Sequence, residues 1–88
     1  MHVTMVKKRL LDGRDCPKCE QATKELERRG VLNRIDEIVW FNEGDPESPG
    51  GQLAAAHAVD RAPFFIVRDE RGEQVYTSVM RLIIDRLA

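Results

Sequence analysis

The two cysteines of this chain are separated by two residues, in the stretch Cys16-Pro17-Lys18-Cys19. Pro17 suits the first turn of a helix and strong helix formers follow it, so the spacing predicts two thiols one turn apart at a helix start. Disulfide chemistry needs a thiolate, and the unpaired N–H groups of a helix N-terminus favour that anion. Cys16 is therefore the candidate nucleophile. Cys19 lies further inside the predicted helix, where we expect it to stay protonated until it resolves a mixed disulfide.

Charged residues precede and flank the predicted thiolate. Lys18 contributes a positive charge that favours the anion, whereas Asp15 acts in the opposite sense. A run of three positive charges, Lys7-Lys8-Arg9, occurs earlier in the chain without aromatic residues interleaved. We interpret this run as the solvated end of a strand and not as a nucleic-acid site.

The composition is that of a globular protein, and we expect residues 1–88 to form a single domain. Hydrophobic residues make up 42% of the chain and charged residues 33%, with a formal net charge of -1, so neither nucleic acid nor membrane is an expected partner. No apolar run is long enough for a signal peptide or a membrane span, which predicts a cytoplasmic protein. Because thiols stay reduced there, the cysteine pair is expected to be redox-active or half of a metal site.

Hydrophobic patterning predicts four strands and three helices in the order β-α-β-α-β-β-α. Helices that alternate with strands, followed by a hairpin and a closing helix, predict an α/β fold with a four-stranded mixed sheet and helices on both of its faces. The predicted strands are 3–6 with an extension into the basic run, 35–41, 64–67 and 73–77, and the predicted helices are 17–29, 49–59 and a segment that begins near 79.

Particular residues have expected places within these segments. The run 38–41, which contains Trp40 and Phe41, is apolar on both sides. Such a run is typical of a strand covered on both faces, so both aromatic rings are expected in the core. Ser48 or a neighbour is expected to cap the second helix, and Ser78 is expected to cap the third.

The element order, the Cys16–Cys19 spacing at the start of the first helix, and Pro63 just before the third strand together resemble the thioredoxin-like superfamily. The short chain is similar to the glutaredoxin branch of that superfamily. The resemblance implies a thioredoxin-like fold and a small thiol-disulfide oxidoreductase that reduces protein or low-molecular-weight disulfides. Cys16 would be the nucleophile and Cys19 the resolving thiol. The redox-active Cys16–Cys19 disulfide would serve without any other cofactor or metal.

The resemblance also implies residues that contact the substrate. Members of the superfamily have a cis peptide bond before the equivalent of Pro63, and Ala62 would offer backbone hydrogen bonds to an extended substrate. Arg61 and Lys18 are further candidate contacts. The implied partners are a disulfide-bearing protein and a thiol reductant or reductase, and the chain is expected to be a monomer.

The chain departs from the glutaredoxin pattern at two places. Lys18 stands where glutaredoxins usually have an aromatic residue, and Thr77-Ser78 stands where they have a glycine-containing turn that helps to hold glutathione. Glutathione is therefore not counted among the expected ligands, and a reductase or another thiol protein is the expected electron source. Thioredoxins often bury an acidic residue behind the cysteines, and Asp36 or Glu37 are the candidates for that role.

Two other functions remain open on the sequence alone. A structural zinc site usually has four ligands, and one cysteine pair supplies two of them. A second copy of the chain, or His2 and His57, would have to supply the others. The remaining alternative is a thioredoxin-like docking module without catalysis, although the presence of both cysteines argues against it.

Overall fold

A computed structural model describes all 88 residues, and its centre is a four-stranded mixed sheet. The strands lie in the order β2-β1-β3-β4; β1 and β2 are parallel, while β1–β3 and β3–β4 are antiparallel. The predicted element order and the mixed sheet are confirmed. The strands are β1 (His2–Arg9), β2 (Glu37–Asn42), β3 (Phe64–Asp69) and β4 (Gly72–Tyr76); the helices are α1 (Pro17–Arg28), α2 (Pro49–Ala56) and α3 (Val79–Leu82), which continues as a π-helical segment (Ile83–Leu87), with a 3-10 turn at Leu32–Arg34.

Helices cover both faces of the sheet, as predicted. Successive residues of a strand point to opposite faces, so β1 and β3 each supply two sets of buried side chains. One set packs against α1 and α3 and the other packs against α2. The first set includes Val3, Met5, Phe65 and Val67 with Leu26 and Leu82 from the helices, and the second includes Val6, Phe64 and Ile66 with Ala54.

The strand β2 lies at the edge of the sheet, next to β1. Ile38 is 44% exposed, and Trp40 and Phe41 are only partly buried. The expectation that this strand is covered on both faces is therefore wrong. Its apolar run is explained in part by Val39 and Phe41, which pack against the buried residues that face α2. By contrast, β3 lies inside the sheet and its run of four apolar residues is buried.

The start of α2 lies directly against the backbone of β2. A Cβ added at Gly50 would collide with the backbone of Phe41, so glycine allows this close approach. The Ser48 hydroxyl accepts a hydrogen bond from Asn42 N at 3.1 Å and donates one to Asp45 O at 2.7 Å. The expected cap of α2 by this side chain is wrong. Instead, the hydroxyl joins the start of α2 to the end of β2.

The helix ends differ from the predicted ones by a few residues. α1 ends one residue early, and Gly30 follows it with a left-handed φ of 71°, as expected of a helix stop. α2 ends three residues early, because Ala58 turns the chain with a φ of 54°. Ser78 caps α3 as predicted, since its Oγ accepts a hydrogen bond from Arg81 N at 3.2 Å. None of the helices is both long and apolar enough to cross a membrane.

We expect Leu26→Ala to lower the free energy of unfolding by about 2–5 kcal/mol, because it opens a cavity between α1 and the sheet. Leu26 has no exposed surface. Ile84→Ala is the matched control, since Ile84 is 59% exposed and its truncation should change stability by no more than about 0.5 kcal/mol. Urea unfolding under reducing conditions measures both values, and equal losses in the two variants would contradict this description of the core.

Candidate functional site

The cysteines lie at the start of α1, after the loop that follows β1. Cys16 is the residue immediately before α1 and is partly exposed, whereas Cys19 is in the first turn and has no exposed surface. Both thiols are unpaired, so the structure shows the dithiol form. The positions predicted for the two residues are therefore observed, and the two thiols have different surroundings.

The backbone of Lys8 in β1 contacts both cysteines. Its carbonyl oxygen accepts a hydrogen bond from Cys16 N at 2.9 Å. Its N–H donates a hydrogen bond to Cys19 Sγ at 3.2 Å. An isolated β-bridge between Arg9 and Asp15 extends this pairing to the last residue of β1. The peptide groups of β1 thus hold the segment that carries both thiols.

Burial raises the pKa of Cys19 to about 11, from 9.0 for the free thiol. The hydrogen bond from Lys8 N–H opposes this rise, because it favours the thiolate. The neighbouring Cys16 raises the pKa further, and the positive charge of Lys7 lowers it. At neutral pH Cys19 is therefore a protonated, buried thiol beside a partly exposed one, which suits a resolving role.

Lys7 is buried beneath the start of α1, with 6% of its surface exposed. Its Nζ lies 2.9 Å from Asp15 Oδ2 and 4.9 Å from the centroid of the Trp40 ring. The interpretation of the basic run as a solvated strand end is therefore wrong for this residue. The missed signal is the two-residue period of a strand, which places Lys7 on the same face as the core residues Val3 and Met5.

The acidic candidates for taking the proton of Cys19 lie at the wrong end of the sheet. Asp36 Oδ2 accepts a hydrogen bond from Val3 N at 2.7 Å, near the beginning of β1. Glu37 begins β2, which is parallel to β1, so it also lies beside the beginning of that strand. Lys8, which contacts the cysteines, is five residues beyond Val3, or about 16 Å along a strand. Neither carboxylate is in reach of the thiols.

The structure brings together the four residues predicted to contact a substrate. A groove of about 690 Å³ beside the cysteine turn is lined by Lys18 from α1 and by Arg61, Ala62 and Pro63 from the segment before β3. The Ala62–Pro63 peptide bond is cis. Thr77, which follows β4, also lines the groove. The groove therefore lies between α1, the Pro63 segment and the β4–α3 connection.

The histidines lie away from the cysteines and beside carboxylates. His2 Nε2 is 3.4 Å from Glu37 Oε1, and His57 Nε2 is 3.9 Å from Glu73 Oε1. No group of three or more histidine, cysteine, aspartate or glutamate residues in the chain has the arrangement needed to hold a metal ion. A zinc site at the cysteines would require ligands from a second chain.

The raised pKa of Cys19 makes stability depend on pH. The folded protein keeps the Cys19 proton while the unfolded chain loses it above pH 9.0, so the stabilisation is complete below that pH and is lost as the pH rises through about 11. We expect the free energy of unfolding of the reduced protein to fall across this window. Urea titrations should show a smaller fall in Cys19→Ala, and an equal fall in both proteins would contradict the assignment.

No protein-family model matches the chain, and no curated protein does either. Among solved structures, the chain is similar to a thioredoxin from Thermus thermophilus, with 23% sequence identity and a TM-score of 0.43. The similar region covers 84% of this chain and 58% of that one, so the chain spans less than two thirds of the thioredoxin's length. The assignment of the fold depends instead on the topology. With strands in the order β2-β1-β3-β4, α1 and α3 on one face and α2 on the other, the chain has the thioredoxin-like fold.

Proposed function

We propose that the chain is a small thiol-disulfide oxidoreductase that reduces protein or low-molecular-weight disulfides through Cys16 and Cys19. The observation that carries this proposal is the contrast between the two thiols. Cys16 is partly exposed at the residue before α1, and Cys19 is buried and protonated one turn further on. A nucleophilic thiol must be accessible to the substrate, whereas a resolving thiol must stay protonated until the mixed disulfide has formed.

The reaction has two exchange steps. The Cys16 thiolate attacks one sulfur of the substrate disulfide, that S–S bond breaks, and the other substrate sulfur leaves and takes up a proton. Cys19 then attacks the sulfur of Cys16, the mixed disulfide breaks, and the second substrate sulfur leaves. The proton lost by Cys19 equals the one this departing thiolate gains. The substrate is reduced by two electrons, and the dithiol is oxidised to the Cys16–Cys19 disulfide.

The oxidised protein then needs a source of electrons. We propose a thiol reductant or a reductase for this role, and a cytoplasmic location in which such reductants are abundant. We propose further that the chain acts as a monomer. We do not propose glutathione as a ligand, because Thr77 lines the groove at the position of the glycine-containing turn of glutaredoxins.

The groove beside the cysteines is the proposed substrate site. Ala62 and Pro63 would lie along the backbone of an extended disulfide-bearing segment, and Lys18 would stand over its sulfur atoms. Arg61 has a side chain that is 69% exposed at the rim, and its nearest carboxylate is that of Asp60 at 3.7 Å. Because this ion pair is exposed and weak, an acidic group of the substrate would replace Asp60 at the guanidinium.

We expect Cys16→Ser to abolish reduction of the insulin disulfides, because a hydroxyl cannot replace the attacking thiolate. Cys19→Ser should retain the first exchange and accumulate a mixed disulfide with the substrate, which mass spectrometry detects. The two substitutions are matched in size and chemistry, so a difference between them reports the two roles. Undiminished insulin reduction by Cys16→Ser would rule out the proposed function.

We expect Arg61→Glu to lower kcat/KM several-fold for a disulfide peptide with acidic flanking residues. The effect should shrink as salt is added, because exposed charges are screened over about 10 Å at 0.1 M ionic strength. Arg71→Glu is the control, since Arg71 is equally a surface arginine but lies at the β3–β4 turn. Equal losses in both variants would show that net charge and not the rim of the groove is responsible.

A further inference from the structure

Lys7 is a buried charge that the two exchange steps leave without a role. A buried ammonium costs free energy unless it is paired, and Lys7 has two partners that offset this cost. One is the Asp15 carboxylate at 2.9 Å, and the other is the face of the Trp40 ring at 4.9 Å. The two contacts join three separate parts of the chain, namely β1, the segment before α1 and β2. The ammonium is thus held at a defined place beneath the start of α1.

That place is one residue along β1 from the backbone group that contacts the resolving thiol. Lys7 precedes Lys8, whose N–H donates to Cys19 Sγ at 3.2 Å, and Asp15 precedes Cys16. By strand alternation Lys7 shares the face of β1 on which Met5 packs among the residues of α1. The positive charge of Lys7 acts on Cys19 in the direction that favours the thiolate. Because the surroundings exclude water, such a charge is screened less than one at the surface.

We propose that Lys7 is a positioning residue whose ammonium stabilises the negative charge on Cys19 Sγ as this thiol attacks the mixed disulfide. The proposal rests on the proposed function. Lys7 gives up no proton in the step: Cys19 loses its own proton, the Cys19–Cys16 bond forms, and the bond from Cys16 to the substrate sulfur breaks. The departing thiolate gains the equivalent proton.

The other charged groups around Cys19 fit this role. Asp15 acts against the thiolate, but its side chain is 33% exposed while that of Lys7 is 8% exposed, so the carboxylate is the better screened of the two. Arg9, on β1, lies over the Trp40 ring at 4.0 Å and adds a second positive charge near the ring. Cys16 opposes a Cys19 thiolate in the dithiol. In the mixed disulfide Cys16 is uncharged, and that opposition ends.

Single-turnover reaction with 5,5′-dithiobis(2-nitrobenzoate) separates the two steps. Attack by Cys16 releases a first coloured thiolate, and attack by Cys19 on the mixed disulfide releases a second one. We expect Lys7→Met to shift the pH profile of the second phase upward, which makes this phase several-fold slower at each pH below the plateau. Lys7→Arg keeps the charge and should restore the second phase. A purely structural role would not move a pH profile.

Two further variants keep the test decisive if Lys7→Met folds poorly. Asp15→Asn removes the counter-charge but keeps the ammonium, so its second phase should be at least as fast as that of the unmodified protein. Lys24→Met makes the same chemical change at an exposed position of α1 and should leave both phases unchanged. A slower second phase in Asp15→Asn, or an unshifted profile in Lys7→Met, would overturn the proposal.

Failure of this inference is distinguishable from failure of the proposed function. The first phase tests Cys16, and it does not depend on Lys7. If the first phase persists in Cys16→Ser, the oxidoreductase proposal fails. If the first phase requires Cys16 and the second phase ignores the charge of Lys7, only the inference about Lys7 fails.

Discussion

The site depends on the fact that β1 extends three residues beyond its last pair with β3. Pairing between these strands ends at Val6 and Phe64, so the N–H and C=O groups of Lys8, two residues later, no longer face a strand. Unpaired backbone groups in a covered position need partners. The cysteine segment supplies them, since Cys16 N and Cys19 Sγ bind the two groups of Lys8. The thiols thus occupy the position from which the next strand is missing.

Two consequences follow from this anchoring. The turn that holds Cys16 and Cys19 is tied to β1, a strand with a neighbour on each side and therefore a firm support. The segment before β3 begins where that pairing ends, so Ala62 and Pro63 reach the groove beside the same turn. One difference in strand length therefore places both the thiols and the wall of the groove.

Much of this arrangement follows from patterns that the sequence displays. The element order and the location of Cys16 before a helix depend on local preferences, namely apolar periodicity, Pro17 and Gly30, and local preferences are readable from one chain. Contacts across the sheet are different, because register and edge position depend on the partners of each strand. For that reason the sequence pattern wrongly places Asp36 at a site about 16 Å away along the strand, and it predicts a strand covered on both faces where β2 lies at the edge of the sheet.

Lys7 is a single residue whose burial, for the same reason, is difficult to predict from the sequence. A run of three positive charges predicts a solvated patch. The two-residue period of a strand instead places successive members of the run on opposite faces of the sheet. By this period Lys7 and Lys8 lie on opposite faces and Arg9 shares the face of Lys7. Packing over that face buries Lys7, whereas Arg9, the last residue of β1, is exposed. A charge cluster in a strand is therefore better divided by face before it is interpreted.

The ring of Trp40 lies between the Lys7 ammonium at 4.9 Å and the Arg9 guanidinium at 4.0 Å. It is the single tryptophan of the chain. Because indole emission responds to nearby charge, the emission of this ring reports on both cations, one of which is the buried Lys7. Changes around the pair of Lys7 and Asp15 can therefore be followed without attaching a dye.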